Sequence, residues 1–217
     1  MVAAVIFDMD GLLVDSEPVW DKARAMMARA AGKDWNGDDH KAVMGVSTRE
    51  WVDYMIGRLD LSMPPQAVEA EIIAQMVALY ERRIPFFEGA LEAVALVCQA
   101  FPAGLASGSP RTLIDTVTGH PGLAGKFQAI FSADQVGRGK PAPDVYLETA
   151  AALGVAPGDC VCLEDSGNGI LAGKNAGMRV IAVPDPRFPP AADKLARADL
   201  VLDSLTQFSR ETLSTFE

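Results

Sequence analysis

Short apolar runs recur along this chain with turn residues at their ends. Ala3–Phe7, Ala103–Ser107, Ala129–Phe131, Cys160–Leu163, Val180–Val183 and Leu200–Leu202 are the clearest. Runs this short and this uniformly apolar predict strands buried on both faces, as parallel strands are. Beyond residue 85, helical patterns such as Ala90–Ala100 and Asp144–Leu153 fall between them. That alternation predicts βαβ crossovers and a doubly wound parallel α/β sheet with helices on both faces.

Residues 16–84 break the rhythm. Ser16-Glu17-Pro18 is a helix-start signal, after which Val19, Trp20, Ala23, Met26, Met27 and Ala30 recur at helical spacing. Ser47–Leu59 and Gln66–Arg83 also read as helices, parted by Ser62-Met63-Pro64-Pro65. The pattern predicts a core domain of residues 1–15 and 85–217 carrying an all-helical insert over 16–84. The proline-rich stretch Pro184–Ala192 reads as a loop after a strand.

Candidate chemistry collects at the strand ends, where ligands of open α/β sheets bind. The first strand runs into Asp8-Met9-Asp10-Gly11, whose alternate carboxylates leave the sheet on one side. The second ends in Ser107-Gly108-Ser109, a hydroxyl ahead of a helix start and so a natural anion cradle. Gly137-Arg138-Gly139-Lys140-Pro141 follows the third, and the fourth ends in a further acidic pair, Glu164-Asp165. Carboxylates, a hydroxyl and a lysine at one edge suit Mg2+-assisted phosphoryl transfer.

Other motifs fail on inspection. An EF-hand needs glycine at the sixth loop position, where Leu13 stands. A P-loop around Lys140 would need glycine at Asp134 and a hydroxyl residue at Pro141. Gly167-Asn168-Gly169-Ile170-Leu171-Ala172-Gly173 is one residue too long for a dinucleotide fingerprint, and Glu164-Asp165 would repel a pyrophosphate.

Composition narrows the partners. With 217 residues and a formal net charge of −10, and without any Lys/Arg run, the chain is not expected to bind nucleic acid. No apolar stretch approaches the ~20 residues that span a bilayer. Val2–Phe7 runs straight into Asp8 without a basic flank, so neither a membrane segment nor a leader is expected. Cys98, Cys160 and Cys162 match no metal or redox spacing and are expected as small buried residues in a reducing cytoplasm. His40 and His120 match no ligand spacing and are expected at the surface. Asp15 reads as a helix cap and loop organiser rather than a catalyst. A monomer acting on a small phosphorylated substrate is expected.

Taken together, Asp8-Met9-Asp10-Gly11, Ser107, Lys140 in Gly139-Lys140-Pro141-Ala142-Pro143-Asp144, and Gly158-Asp159 followed by Glu164-Asp165-Ser166 resemble the haloacid dehalogenase superfamily, in its helical-cap branch. The resemblance spans essentially the whole chain. Met9-Asp10-Gly11-Leu12-Leu13-Val14-Asp15-Ser16-Glu17-Pro18 and Asp185-Pro186-Arg187-Phe188 are most similar to sugar-phosphate phosphatases of the 2-deoxyglucose-6-phosphatase type. It implies that Asp8 is the nucleophile, forming an aspartyl-phosphate, and that Asp10 is the general acid and base. It implies Ser107 and Lys140 as phosphate-binding groups. It further implies Mg2+ held by Asp8, the Asp10 backbone carbonyl and Asp165, with Glu164 a ligand or a supporting partner.

The cap is implied to close over the site and select the substrate. Trp20, Gly45, Arg49 and Ser109 stand as candidate substrate contacts, although Arg49 reads equally as a solvated helix charge and Trp20 as packing against Trp51. The rival within the superfamily is a β-phosphoglucomutase-like isomerase. The resemblance implies that such enzymes often carry a histidine where this chain has Trp20. Gly45-Val46-Ser47-Thr48-Arg49 also departs by one residue from the mutase-like Gly-x-Ser-Arg pattern. Hydrolysis is therefore the expected outcome.

Overall fold

The computed structural model describes residues 1–217 apart from Gly45, Ser47 and Glu217. Six strands, β1 (Ala4–Phe7), β2 (Ala103–Ser107), β3 (Ala129–Ser132), β4 (Cys160–Glu164), β5 (Arg179–Ala182) and β6 (Leu200–Val201), form one sheet. Their order is β3-β2-β1-β4-β5-β6, with every neighbouring pair parallel. This is the doubly wound α/β sheet that the apolar runs predict. The strand order reverses around β1, which lies between β2 and β4, so their carboxyl ends flank a crevice.

The chain divides into two compact units, Met1–Asp15 with Ile84–Glu217, and Ser16–Arg83. The second is helical: α1 (Glu17–Ala30), α2 (Gly37–Val43), α3 (Thr48–Leu59) and α4 (Pro65–Arg82). In α4, Val68, Ile72, Met76 and Tyr80 recur every fourth residue and are buried, as one helical stripe requires. Asp39 is buried and accepts hydrogen bonds from Tyr54 Oη at 2.8 Å and Arg58 Nε at 2.7 Å, while its other oxygen caps α2 with Asn36.

The first unit adds α5 (Ala90–Val97), α6 (Arg111–Thr118), α7 (Asp144–Leu153), α8 (Gly167–Asn175), α9 (Ala192–Leu195) and α10 (Arg210–Ser214). On one sheet face, Ala4, Ile6, Ala106, Cys160, Cys162 and Val180 pack against Val145, Tyr146 and Ala150 of α7 and Ile170 and Ala172 of α8. The glycines of α8 permit this closeness. A Cβ on Gly173 would lie 2.4 Å from Cys162 Sγ, and one on Gly169 would lie 1.9 Å from the Glu164 carboxylate.

Several elements differ from the sequence reading. Helix α5 ends at Val97 rather than Ala100, because its end tightens into turns in which the Gln99 and Ala100 N–H groups donate to the Leu96 and Val97 carbonyls three residues back. The 7-residue α2 and 8-residue α6 offer too few turns for periodicity to stand out. Neither histidine is at the open surface. The His40 side chain is 17% exposed, with Nδ1 3.2 Å from Asp21 Oδ1, and His120 Nδ1 accepts from the Gly122 N–H at 3.1 Å.

Asp15 is not a side-chain cap. Ser16 occupies the cap position of α1 without a side-chain bond, and Asp15 Oδ1 accepts instead from Arg187 Nη2 at 2.8 Å. Arg187 also grips Asp185, which gives the Asp185-Pro186-Arg187-Phe188 motif a structural task. The two chain segments that lead to and from the helical unit are tied to each other. The Asp15 N–H donates to the Pro85 carbonyl at 2.8 Å, the Phe87 N–H donates to the Leu13 carbonyl at 3.0 Å, and Val14 bridges Phe86.

Candidate active site

Strand β1 delivers Asp8 to the carboxyl edge, and Lys140, at the head of α7, reaches the same point. Lys140 Nζ donates to Asp8 Oδ1 at 2.8 Å, to Glu164 Oε1 at 2.5 Å and to the Ala106 carbonyl at 3.0 Å. An ammonium has three hydrogens, so Lys140 is fully committed, and any phosphoryl oxygen it takes replaces one of these acceptors. Asp8 and Glu164 are buried, and the Lys140 side chain is 10% exposed.

Glu164 has a second anchor. Tyr146 Oη donates to its Oε1 at 2.6 Å, and the Lys140 ammonium lies 4.9 Å from the Tyr146 ring centre. Tyr146 escaped the sequence reading because it looks like an ordinary core residue of a helical pattern. Its position six residues after Lys140 in Lys140-Pro141-Ala142-Pro143-Asp144-Val145-Tyr146 was the only available signal.

Ser107, at the end of β2, donates from Oγ to Asp10 Oδ2 at 3.0 Å. Asp10 Oδ1 and Asp165 Oδ1 are buried and have no hydrogen-bond partner among the described residues. Asp165 lies over Gly11, whose φ is +76°. A Cβ there would sit 2.0 Å from Asp165 Oδ2, so the glycine after the second aspartate makes room for a carboxylate from β4. Ser109 is buried, and its N–H donates to Ser107 Oγ at 2.9 Å.

The candidates in the helical unit are Trp20, Gly45 and Arg49. Trp20 and Trp51 have ring centres 6.2 Å apart, and the Arg24 guanidinium lies 5.2 and 5.5 Å from their centres. The Arg49 side chain is 91% exposed and pairs only loosely with Asp53 at 3.7 Å, the geometry of a solvated helix charge. Gly45 lies outside the described residues.

Asp8, Glu164 and Asp165 each offer an oxygen within 4.8 Å of the others. Three ionised carboxylates around one ammonium would leave two negative charges unmatched. Burial, reinforced by Glu164 and Asp10 and opposed by Lys140, pushes the Asp8 carboxyl up to about 8. Burial, with Asp8 and Glu164 beside it, also pushes Asp165 well above the usual carboxylate range. A divalent cation relieves that excess charge, and an all-oxygen donor set is what Mg2+ prefers, so the residues fit this ion.

A pH dependence follows. The unfolded Asp8 carboxyl ionises near 3.8, whereas the folded one resists until about 8. Between those values the folded state holds the extra proton, so the metal-free protein should lose stability as pH rises. Melting temperatures in chelator at pH 5, 6, 7 and 8 should fall steadily. Mg2+ should bind more tightly as pH rises and expel protons on binding, which calorimetry in buffers of different ionisation enthalpy detects. A melting temperature unaffected by pH would contradict this account of the cluster.

Comparison with known proteins points to one family. Residues 2–177 match the family model of the haloacid dehalogenase-like hydrolases. The chain is 40% identical to hexitol phosphatase B of Escherichia coli (strain K12) over 221 aligned positions, covering 98% of this chain and 96% of that one. It is 31% identical to a phosphorylated carbohydrates phosphatase of Thermotoga maritima, covering 82% and 83% of the two chains. The crystal structure of a β-phosphoglucomutase from Clostridium difficile superposes with a TM-score of 0.81 at 26% identity, covering 100% of this chain and 97% of that one.

Proposed function

This chain belongs to the haloacid dehalogenase-like hydrolases, and from that membership we propose a phosphatase that releases phosphate from a sugar or hexitol phosphate. It is a phosphoric monoester hydrolase in this reading, working through an aspartyl-phosphate. The observation that carries the reading is the 2.8 Å contact between Lys140 Nζ and Asp8 Oδ1. It places a buried carboxylate under a fixed cation, at the sheet edge where the Ser107 hydroxyl and the second aspartate also converge.

Asp8 attacks phosphorus as the bond to the leaving oxygen breaks, which splits one difficult displacement into two easier ones. Asp10 protonates that oxygen, then removes a proton from the water that frees the phosphate. Its Oδ2 is occupied by Ser107, so Oδ1 is the oxygen that exchanges protons. Lys140 stabilises the phosphoryl oxygens by donating a hydrogen bond to them in place of one of its present acceptors, and Ser107, whose single proton goes to Asp10 Oδ2, lines the phosphate site beside it. Asp8, Asp165 and the Asp10 carbonyl would hold Mg2+, with Glu164 beside them. The ion, when bound, supplies positive charge that offsets the charge of the phosphoryl group. Three unpaired thiols support a reducing, cytoplasmic setting.

An isomerase related to β-phosphoglucomutase is the second reading, favoured by the structural superposition. The higher identity to a hexitol phosphatase supports hydrolysis. So does Trp20, which offers an N–H but no group that titrates near neutrality. The test has two parts. Phosphate release is measured with Mg2+ across hexitol, hexose, glycolate and nucleotide phosphates, where hexitol or hexose esters should lead. The protein is then given β-glucose 1-phosphate with a trace of the bisphosphate, and glucose 6-phosphate is followed alongside free phosphate. Fast glucose 6-phosphate formation with little free phosphate would overturn hydrolysis in favour of isomerisation.

A further inference from the structure

A directed run of hydrogen bonds leads from the end of β3 to Asp10. Ser132 Oγ accepts from the Asp134 N–H at 3.1 Å and donates to the Ser109 carbonyl at 2.7 Å. The Ser109 N–H donates to Ser107 Oγ at 2.9 Å, and Ser107 Oγ donates to Asp10 Oδ2 at 3.0 Å. All three serines are buried.

Each hydroxyl has a single proton to give. Ser132 sends its proton to the Ser109 carbonyl. Ser107, already accepting from Ser109, sends its own to Asp10. Ser109 is thereby held on both sides, by its N–H and by its carbonyl, and the next residue, Pro110, has no N–H with which to compete. We propose that Ser132 is a positioning residue for Asp10: by holding Ser109 it aims the Ser107 hydroxyl, which fixes Asp10 Oδ2 and leaves Oδ1 for the leaving oxygen. This rests on the reading of Asp10 as general acid and base. Without the Ser132 hydroxyl, the buried Ser109 carbonyl has lost its donor, and the loop turns to find another.

The experiment exploits the leaving group. A basic alkoxide needs a well-aimed acid, whereas dinitrophenolate departs without one. The Ser132→Ala enzyme with Mg2+ should lose about tenfold in kcat/KM for a hexitol phosphate and less than about threefold for 2,4-dinitrophenyl phosphate. Ser132→Cys, a weaker donor of similar shape, should fall between wild type and Ser132→Ala. In an Asp10→Asn background, Ser132→Ala should add little further loss, since the two act on one step. Equal losses for both esters would mark a merely structural role and overturn the proposal, as would full additivity with Asp10→Asn.

A crystal structure of the Ser132→Ala protein gives a readout independent of turnover. The Ser107–Asp10 contact should lengthen beyond hydrogen-bonding distance, and an unchanged Asp10 would overturn the proposal. A wild type that releases phosphate from no ester would defeat the phosphatase reading, while this structural comparison would still decide the role of Ser132. Should Ser132→Ala fail to fold, Ser132→Cys carries the same comparisons.

Discussion

Asp8→Asn should reduce phosphate release by on the order of four powers of ten or more, because a neutral amide cannot replace the carboxylate as the nucleophile. The substitution keeps the shape of the side chain and removes its charge. It should not unfold the protein. Asp8 resists ionisation up to about 8, so a neutral amide relieves the crowding of carboxylates. The metal-free variant should therefore melt at or above the wild-type temperature at pH 8. That pairing separates a chemical role from a structural one: high stability with no turnover supports the nucleophile. Near-normal phosphate release from Asp8→Asn would end the aspartyl-phosphate mechanism.

Removal of divalent metal should be nearly as severe. Chelator is expected to bring phosphate release to background, and Mg2+ to restore it, because without the ion burial keeps the Asp8 carboxyl protonated up to about 8 and so unable to attack. Ca2+ should substitute poorly, since its larger and looser shell does not impose octahedral order on the oxygens. Asp165→Ala should raise the Mg2+ concentration for half-maximal activity by about tenfold or more. An Asp165→Ala enzyme with unchanged Mg2+ dependence would remove Asp165 from the ion's ligands. Activity that survives exhaustive chelation would remove the ion altogether.

The parallel sheet was legible because buried strands of this kind are apolar at every position, as Ala4–Phe7 and Cys160–Leu163 are. The acidic and basic residues at the strand ends were legible because they interrupt apolar runs. Groups that serve those residues from within the core carry no such contrast. Tyr146 and Ser132 look like ordinary members of a helix and a strand, and their importance lies in one hydrogen bond each to a distant segment. Gly169 invited comparison with nucleotide-binding motifs, yet its lack of a side chain serves the Glu164 carboxylate packed against it. His40 and His120 were misplaced because short polar contacts, to Asp21 and Gly122, let half-buried imidazoles sit where the local sequence looks solvated.

The pairing of Asp15 with Pro85 and of Leu13 with Phe87 makes the ends of the helical segment neighbours before that segment begins. Arg187 pins the outgoing strand of this doorway to the loop beyond β5. An excursion whose ends are already closed costs the sheet little extra chain entropy, whatever its length. The doorway thus makes the core a socket, in which one insert can be exchanged for another by recombination or by design, provided the new piece starts and finishes within a hydrogen bond of itself.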